Sequence, residues 1–175
     1  MSARSLKAKG FTLVEILIVV VILGILAAIV IPQFTSASEA AKASSIQTQL
    51  QTIRSQIELY QIQHNGDYPA LTNLTDGTEW NALTETSNRN NTILTDGTGE
   101  FGPYMQKAPV NPFTGESALT VATTTDGAVS GAAATIGWVY NSATGTIKAS
   151  VETAKAREVG LLEATETENA DILGY

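Results

Sequence analysis

The chain has 175 residues, 43% of them hydrophobic, with a formal net charge of −7, no cysteine and one histidine. The length fits one modest domain, and the acidic balance argues against nucleic acid as a partner, because phosphate binding needs basic patches. Lack of cysteine removes disulfide frameworks and the commonest structural zinc sites, and is compatible with export without oxidative folding.

From Ile16 to Ile31 no side chain is polar, and between Phe11 and Ile31 only Thr12 and Glu15 interrupt the apolar run. At about 1.5 Å per residue this run makes a helix of roughly 32 Å, close to the roughly 30 Å of bilayer hydrocarbon. Residues 11–32 are therefore predicted to span a membrane. The leader, residues 1–10, carries Arg4, Lys7 and Lys9, so the positive-inside rule keeps it cytoplasmic and places the remainder outside. Glu15 is the anomaly, since a carboxylate inside an apolar run needs a partner or a water path. Lys9 and Lys7 lie upstream of it beyond Gly10, which weakens any helical continuation. A secretory signal cleaved after Ala28 and a plain signal anchor are the competing readings. The first leaves Glu15 without a purpose and needs an apolar region at the long end of the usual range.

Lys9-Gly10-Phe11-Thr12-Leu13-Val14-Glu15-Ile16, behind a short basic leader and ahead of an apolar run closing at Pro32, resembles the class III signal of type IV pilins and pseudopilins. The resemblance implies that a prepilin peptidase cuts after Gly10 and that Phe11 becomes the N-methylated terminus. It also implies that Glu15 meets the terminal amine of a neighbouring subunit during filament assembly. An opposite charge in low dielectric offsets much of the desolvation of a carboxylate. In that family the segment matching Gly24 to Pro32 loses helicity when the subunit packs into a filament. Removing residues 1–10 takes away three basic residues and no acid, so the formal charge moves from −7 to −10. Many type IV pilins close a C-terminal loop with a disulfide, whereas major pseudopilins of type II secretion systems usually lack one. The absence of cysteine moves the weight toward the pseudopilins.

Pro32 removes a helix hydrogen bond and crowds the preceding turn, so a bend is expected between Ile29 and Phe34. Residues 33–65 are expected to continue the helix amphipathically. Ile46, Leu50, Ile53, Ile57 and Tyr60 recur at spacings of four and three, an apolar stripe on one face, with Gln47, Gln49, Gln51, Arg54 and Glu58 largely elsewhere. Asn65-Gly66 reads as the helix stop, and Tyr68-Pro69 prevents continuation. The run Ile57-Glu58-Leu59-Tyr60 leading to Asn65-Gly66-Asp67-Tyr68-Pro69 also resembles the major pseudopilin pattern.

Residues 66–118 read as a loop-rich connection. Trp80 and Leu83 mark one short helix after a Thr78 cap. Asn73-Leu74-Thr75 and Asn90-Asn91-Thr92 fit the glycosylation sequon, a triplet common by chance in this composition. Between Phe101 and Gly115 three prolines and two glycines prescribe a rigid, turn-rich path, pinned by Phe101, Tyr104 and Phe113. The filament subunits that the chain resembles usually carry an acidic residue before a proline in this region; Asn111-Pro112 departs from that pattern, which weakens the transfer of a metal ligand to this position.

Residues 119–150 are expected to form an antiparallel sheet. Thr135–Asn141 and Thr146–Ser150 are alternating strands joined by Ser142-Ala143-Thr144-Gly145, a hairpin, and Leu119–Ala122 adds a third strand. Residues 151–175 read as a weak helix or an acidic tail. The fold expected is α+β: a long N-terminal helix, half transmembrane and half amphipathic, packed on a small C-terminal sheet, the pilin-like arrangement.

Catalytic signatures are missing, with no nucleophile elbow, phosphate loop or dinucleotide fingerprint. His64, at a helix end, reads as a terminus cation or a solvated side chain. No cofactor is expected; calcium alone stays open, through Asp76, Asp96, Asp126 and nearby carbonyls, although their spacing matches no ligand pattern. The resemblance implies a structural subunit that polymerises with copies of itself. Its other partners would be the prepilin peptidase, an inner-membrane assembly platform, minor pseudopilins and, before assembly, membrane lipid. The alternatives are a type IV pilus pilin, a minor tip adaptor, and a signal-anchored envelope enzyme.

Overall fold

The computed structural model describes residues 10–71, 78–121, 135–159, 161 and 172–173. The leader residues 1–9, the Asn73 sequon, Asp76, Ala122, Asp126 and residues 162–171 lie outside the described residues. The chain divides into two compact units, one ending at Glu39 and one running from Ala40 onward.

Helix α1 covers Leu13–Gln63 and its assignment runs unbroken through Gly24 and Pro32. In the first unit its side chains find no core: Ile16 to Ile31 keep between 41% and 63% of their large apolar surfaces exposed. A helix apolar on every side must be covered by lipid or by other chains. Just past Pro32, the Thr35 hydroxyl donates to the Ile31 carbonyl at 3.2 Å and the Ser36 hydroxyl to that of Gln33 at 3.0 Å. Such hydroxyls return bonds to the helix where a proline has thinned the ladder.

In the second unit the predicted stripe is the core. Ile46, Leu50, Ile53, Ile57 and Tyr60 are all buried, with Ala43 extending the row by one turn. Full burial of such side chains contributes roughly 1.5–3 kcal/mol each. The helix ends where expected: Asn65 and Gly66 take positive φ values of 59° and 96°, and the Gly66 amide donates back to the Gln61 carbonyl at 2.9 Å.

The described residues form six strands: β1 (Thr86–Ser87) and β2 (Ile93–Leu94) form a small hairpin, while β3 (Leu119–Val121), β4 (Trp138–Asn141), β5 (Thr146–Ser150) and β6 (Ile172–Leu173) form a sheet in that order. The predicted β4–β5 hairpin pairs Asn141 with Thr146 and Trp138 with Ala149. Ile147 and Ala149 face the core and are fully buried, whereas Thr146 is exposed, as alternation requires. The expected third strand forms, but the sheet is mixed, not wholly antiparallel: β3 runs parallel to β4, Leu119 opposite Trp138. Residues 122–137 between them are long enough for the crossover that a parallel pair needs.

A short helix α2 (Asn81–Thr84) lies where Trp80 and Leu83 predicted one, and both are buried. Its N-cap is Trp80, which makes no side-chain cap bond, so the Thr78 cap is displaced by two positions. The Trp80 indole instead donates to the Ser117 carbonyl at 2.8 Å, and its ring meets Trp138 edge-on at 6.3 Å. In the segment read as a weak helix or an acidic tail, the described residues include a short helix and are tied to the domain. Helix α3 (Thr153–Glu158) follows β5, Val151, Ala156 and Leu161 are buried, and β6 pairs with β5.

Candidate functional site

The residues singled out for processing and assembly sit together at the start of α1. Gly10 and Phe11 are exposed, Phe11 to 83%. Thr12 precedes the helix, and its backbone amide and hydroxyl both donate to Glu15 Oε2, at 2.8 and 2.9 Å. The Glu15 amide donates in return to the Thr12 hydroxyl at 3.2 Å. This is a capping box: the carboxylate three residues into the helix satisfies the amide of the residue that caps it. The pattern Thr-x-x-Glu ahead of an apolar run was readable from the sequence, and it gives Glu15 a partner within its own chain. Both Thr12 bonds end on Oε2, which leaves Oε1 to accept from a second donor. Gly24 and Pro32 lie further along the same helix, and an added Cβ at Gly24 would meet nothing within 4 Å.

His64 differs from its expected solvated state. It is fully buried, stacked on the Tyr60 ring at 3.8 Å, with Phe101 edge-on at 5.4 Å. Its Nδ1 lies 2.8 Å from the Tyr60 carbonyl and its Nε2 3.0 Å from Ser87 Oγ. A carbonyl only accepts, so Nδ1 carries a proton and donates to it, while the Ser87 hydroxyl, able both to donate and to accept, partners Nε2. The helix brings His64 one turn beyond Tyr60, on the buried stripe. Burial pushes the Tyr60 phenol up to about 12, with Tyr104 and Asp67 adding to it, and its hydroxyl donates to Asn91 Oδ1 at 2.5 Å.

Asn111 is the second residue with a larger role than its sequence position announces. Fully buried, it donates from one amide nitrogen to the Gly137 and Ser150 carbonyls, both at 2.7 Å, while its Oδ1 accepts from the Phe113 amide at 2.8 Å. Two carbonyl acceptors require an NH₂ donor, which explains an amide in place of a carboxylate. The three expected aromatic pins all hold: Phe101 on His64, Tyr104 through a 2.6 Å bond to Gln63, and Phe113 against the core. Of the oxygen groups considered for calcium, Asp96 is described. Bonds from the Thr98 hydroxyl and amide hold its carboxyl below the usual range. Among the described residues no three His, Cys, Asp or Glu side chains form a metal-binding group.

An apolar N-terminal helix that begins on a capped carboxylate and continues as the spine of a small α+β head places the protein in the pilin-like class. Residues 5–31 match the prokaryotic N-terminal methylation motif, and it is in this segment that the chain is similar to type IV pilins and pseudopilins. Over 64 residues it is 42% identical to the type II secretion system core protein G of Pseudomonas aeruginosa, covering 37% of this chain and 44% of that protein. It is 38% identical over 61 residues to the type IV narrow pilus major component PilA5 of Thermus thermophilus, 35% of this chain and 53% of that one. A ComG operon protein 3 homolog of Bacillus licheniformis is 33% identical over 64 residues, 37% of this chain and 66% of that protein. The chain spans about half the length of the first curated relatives it matches. No solved structure matches it significantly.

Proposed function

We propose that the chain is a structural subunit of a type IV pilus-like filament, the pseudopilus of a type II secretion system. Prepilin peptidase would cleave it after Gly10 and methylate Phe11. The single observation that carries this reading is the N-terminal constellation: an exposed Gly10-Phe11 junction, then Glu15 with Oε1 open at the head of an uninterrupted apolar helix. Cleavage frees an amine at Phe11, and the amine of a neighbouring copy is the cation that Glu15 lacks within its own run. A charge-assisted bond in a dry helix bundle sets the axial register between subunits.

In this reading the chain does no catalysis; its work is assembly. Before assembly it sits in the inner membrane with residues 11–32 in lipid and the head in the periplasm. Minor pseudopilins and a membrane assembly platform complete the apparatus, and nucleic acid has no part. Gly24 and Pro32 are the positions at which the helix would yield as subunits pack. Similarity to pilus major components of Thermus thermophilus favours a second reading, a type IV pilus pilin.

The test is the intact mass of the protein from its native membrane, with and without the host's prepilin peptidase. A chain beginning at Phe11 with one added methyl, seen only when the peptidase is present, is expected. A chain beginning at Ile29, or one retaining Met1 in both strains, would overturn the filament reading. Deleting the gene separates the two filaments: retention of secreted proteins marks a pseudopilus, and loss of surface fibres marks a pilus.

A further inference from the structure

Thr48, Gln49, Thr52 and Ile53 of α1, with Met105 and Pro109 of the proline-rich connection, line an open groove of about 120 Å³ in the head. Its walls are apolar for a local reason. The Thr48 and Thr52 hydroxyls donate back to the Ser44 and Thr48 carbonyls at 3.0 and 2.9 Å, and the Gln49 amide donates to Ser45 Oγ at 3.3 Å. Methyl and methylene groups are left to face the opening. Lys107, exposed, stands in sequence between the two lining residues of the connection.

Further along α1, Ile62 is 78% exposed, the most exposed large apolar side chain described from Ala40 onward. Exposed Glu58 lies one helical turn before it, on the same stripe. A lone exposed isoleucine needs no explanation. Here an apolar knob with an acid one turn away is matched, elsewhere on the same chain, by an apolar groove with an exposed base in the segment that lines it. At 3.6 residues per turn Ile62 points roughly 110° away from the mean direction of the groove's helical residues. One copy therefore offers its knob to one neighbour and its groove to another. A contact of that kind is heterologous, and it propagates into rings or open helices instead of closing a dimer.

We propose that Ile62 of one copy seats in the Thr48/Thr52/Met105/Pro109 groove of the next, with Glu58 of the first facing Lys107 of the second. This contact rests on the filament reading above and adds a head-to-head register to the one set by the N-terminal helix. The apolar insertion supplies the affinity and the charge pair on the rim supplies orientation.

Because the chain has no cysteine, disulfide trapping has no background from the protein itself. Thr52→Cys and Ile62→Cys would be introduced singly and together into the full-length chain, expressed with its assembly machinery, and sheared filaments oxidised mildly. The double variant is expected to give a ladder of dimers, trimers and higher multimers, and each single variant monomers only. Filaments that form but stay monomeric in the double variant would overturn the contact while leaving the filament reading intact. Dimers from Ile62→Cys alone would also overturn it, because they mark an isologous contact. If the unaltered chain forms no filaments, the filament reading itself falls and this contact with it. As a second measurement, Glu58→Lys and Lys107→Glu should each reduce filament yield severalfold, because like charges then face each other across the rim. Their combination should restore it; equal loss in all three, with the head still folded, counts against the contact.

Discussion

Thr12 and Glu15 satisfy each other across the first turn of α1, the Thr12 amide and hydroxyl converging on Oε2 and the Glu15 amide returning to the hydroxyl. The carboxylate is thus held in one orientation before any neighbour arrives. In the proposed filament this removes part of the ordering cost that a free glutamate would meet on binding a second chain's amine.

Thr12→Val keeps the β-branched shape and removes the hydroxyl, so the Glu15 amide loses its acceptor. Hydrogen exchange at Glu15 and Ile16, followed in detergent micelles, is expected to accelerate in Thr12→Val and to stay near the original in Thr12→Ser. Equal protection in all three proteins would show that the cap does not hold the first turn.

Asn111→Asp exchanges an NH₂ donor for an oxygen that faces the Gly137 and Ser150 carbonyls. An uncompensated buried charge costs about 3–5 kcal/mol, and denaturant unfolding of the variant near neutral pH should show a loss of that size. Carbonyl neighbours favour the neutral acid, so the folded variant's carboxyl is raised above the unfolded value. The deficit should therefore be smallest below about pH 4 and grow as the pH rises. A loss independent of pH would point to a simple packing defect.

Three of the five tyrosines should titrate late. Burial raises the phenols of Tyr60, to about 12, and of Tyr104 and Tyr140. Their neutral forms are favoured in the folded state, so this stabilisation is complete below the ordinary value near 10 and is lost as the pH rises through about 12. Near-ultraviolet absorbance is expected to show early-titrating phenols first, then a step coincident with alkaline unfolding. A single step near pH 10 in the folded protein would contradict the burial of all three.

Gly145 closes the β4–β5 turn at a φ of +69°, and a Cβ there would run into the Tyr68 ring. Gly145→Ala combines a left-handed backbone with that collision, and a loss of roughly 1–3 kcal/mol is expected on thermal or denaturant unfolding. Adding Tyr68→Ala should recover part of the loss, leaving the backbone share. No recovery would assign the whole cost to the backbone.

Elements whose cause is local were legible. The spacing of Ile46, Leu50, Ile53, Ile57 and Tyr60 names its own buried face, Asn65-Gly66 supplies the left-handed stop, and Ser142–Gly145 joins the antiparallel pair β4 and β5, although β4 is buried at every position instead of alternating. Thr12 was equally legible as the partner of Glu15, through the spacing of a capping box, and is the site residue that the apolar context of Glu15 obscured. The acidic composition after Ser150 hid the buried Val151, Ala156 and Leu161, because net charge describes the solvent face of a segment and not its inner one.

What the sequence determined by itself is therefore the long apolar helix, its amphipathic continuation, the hairpin and the pilin-like N-terminal motif, all written in periods of a few residues. The tertiary structure alone decided that β3 lies parallel to β4, that His64 is buried between Tyr60 and Ser87, and that Asn111 ties the proline-rich connection to Gly137 and Ser150. Each of these depends on groups 20 or more residues apart or on a crossover, as in the pairing of Asn111 with Ser150 across 39 positions. No local pattern encodes such a pairing; it is selected when buried donors and acceptors must all find partners at once.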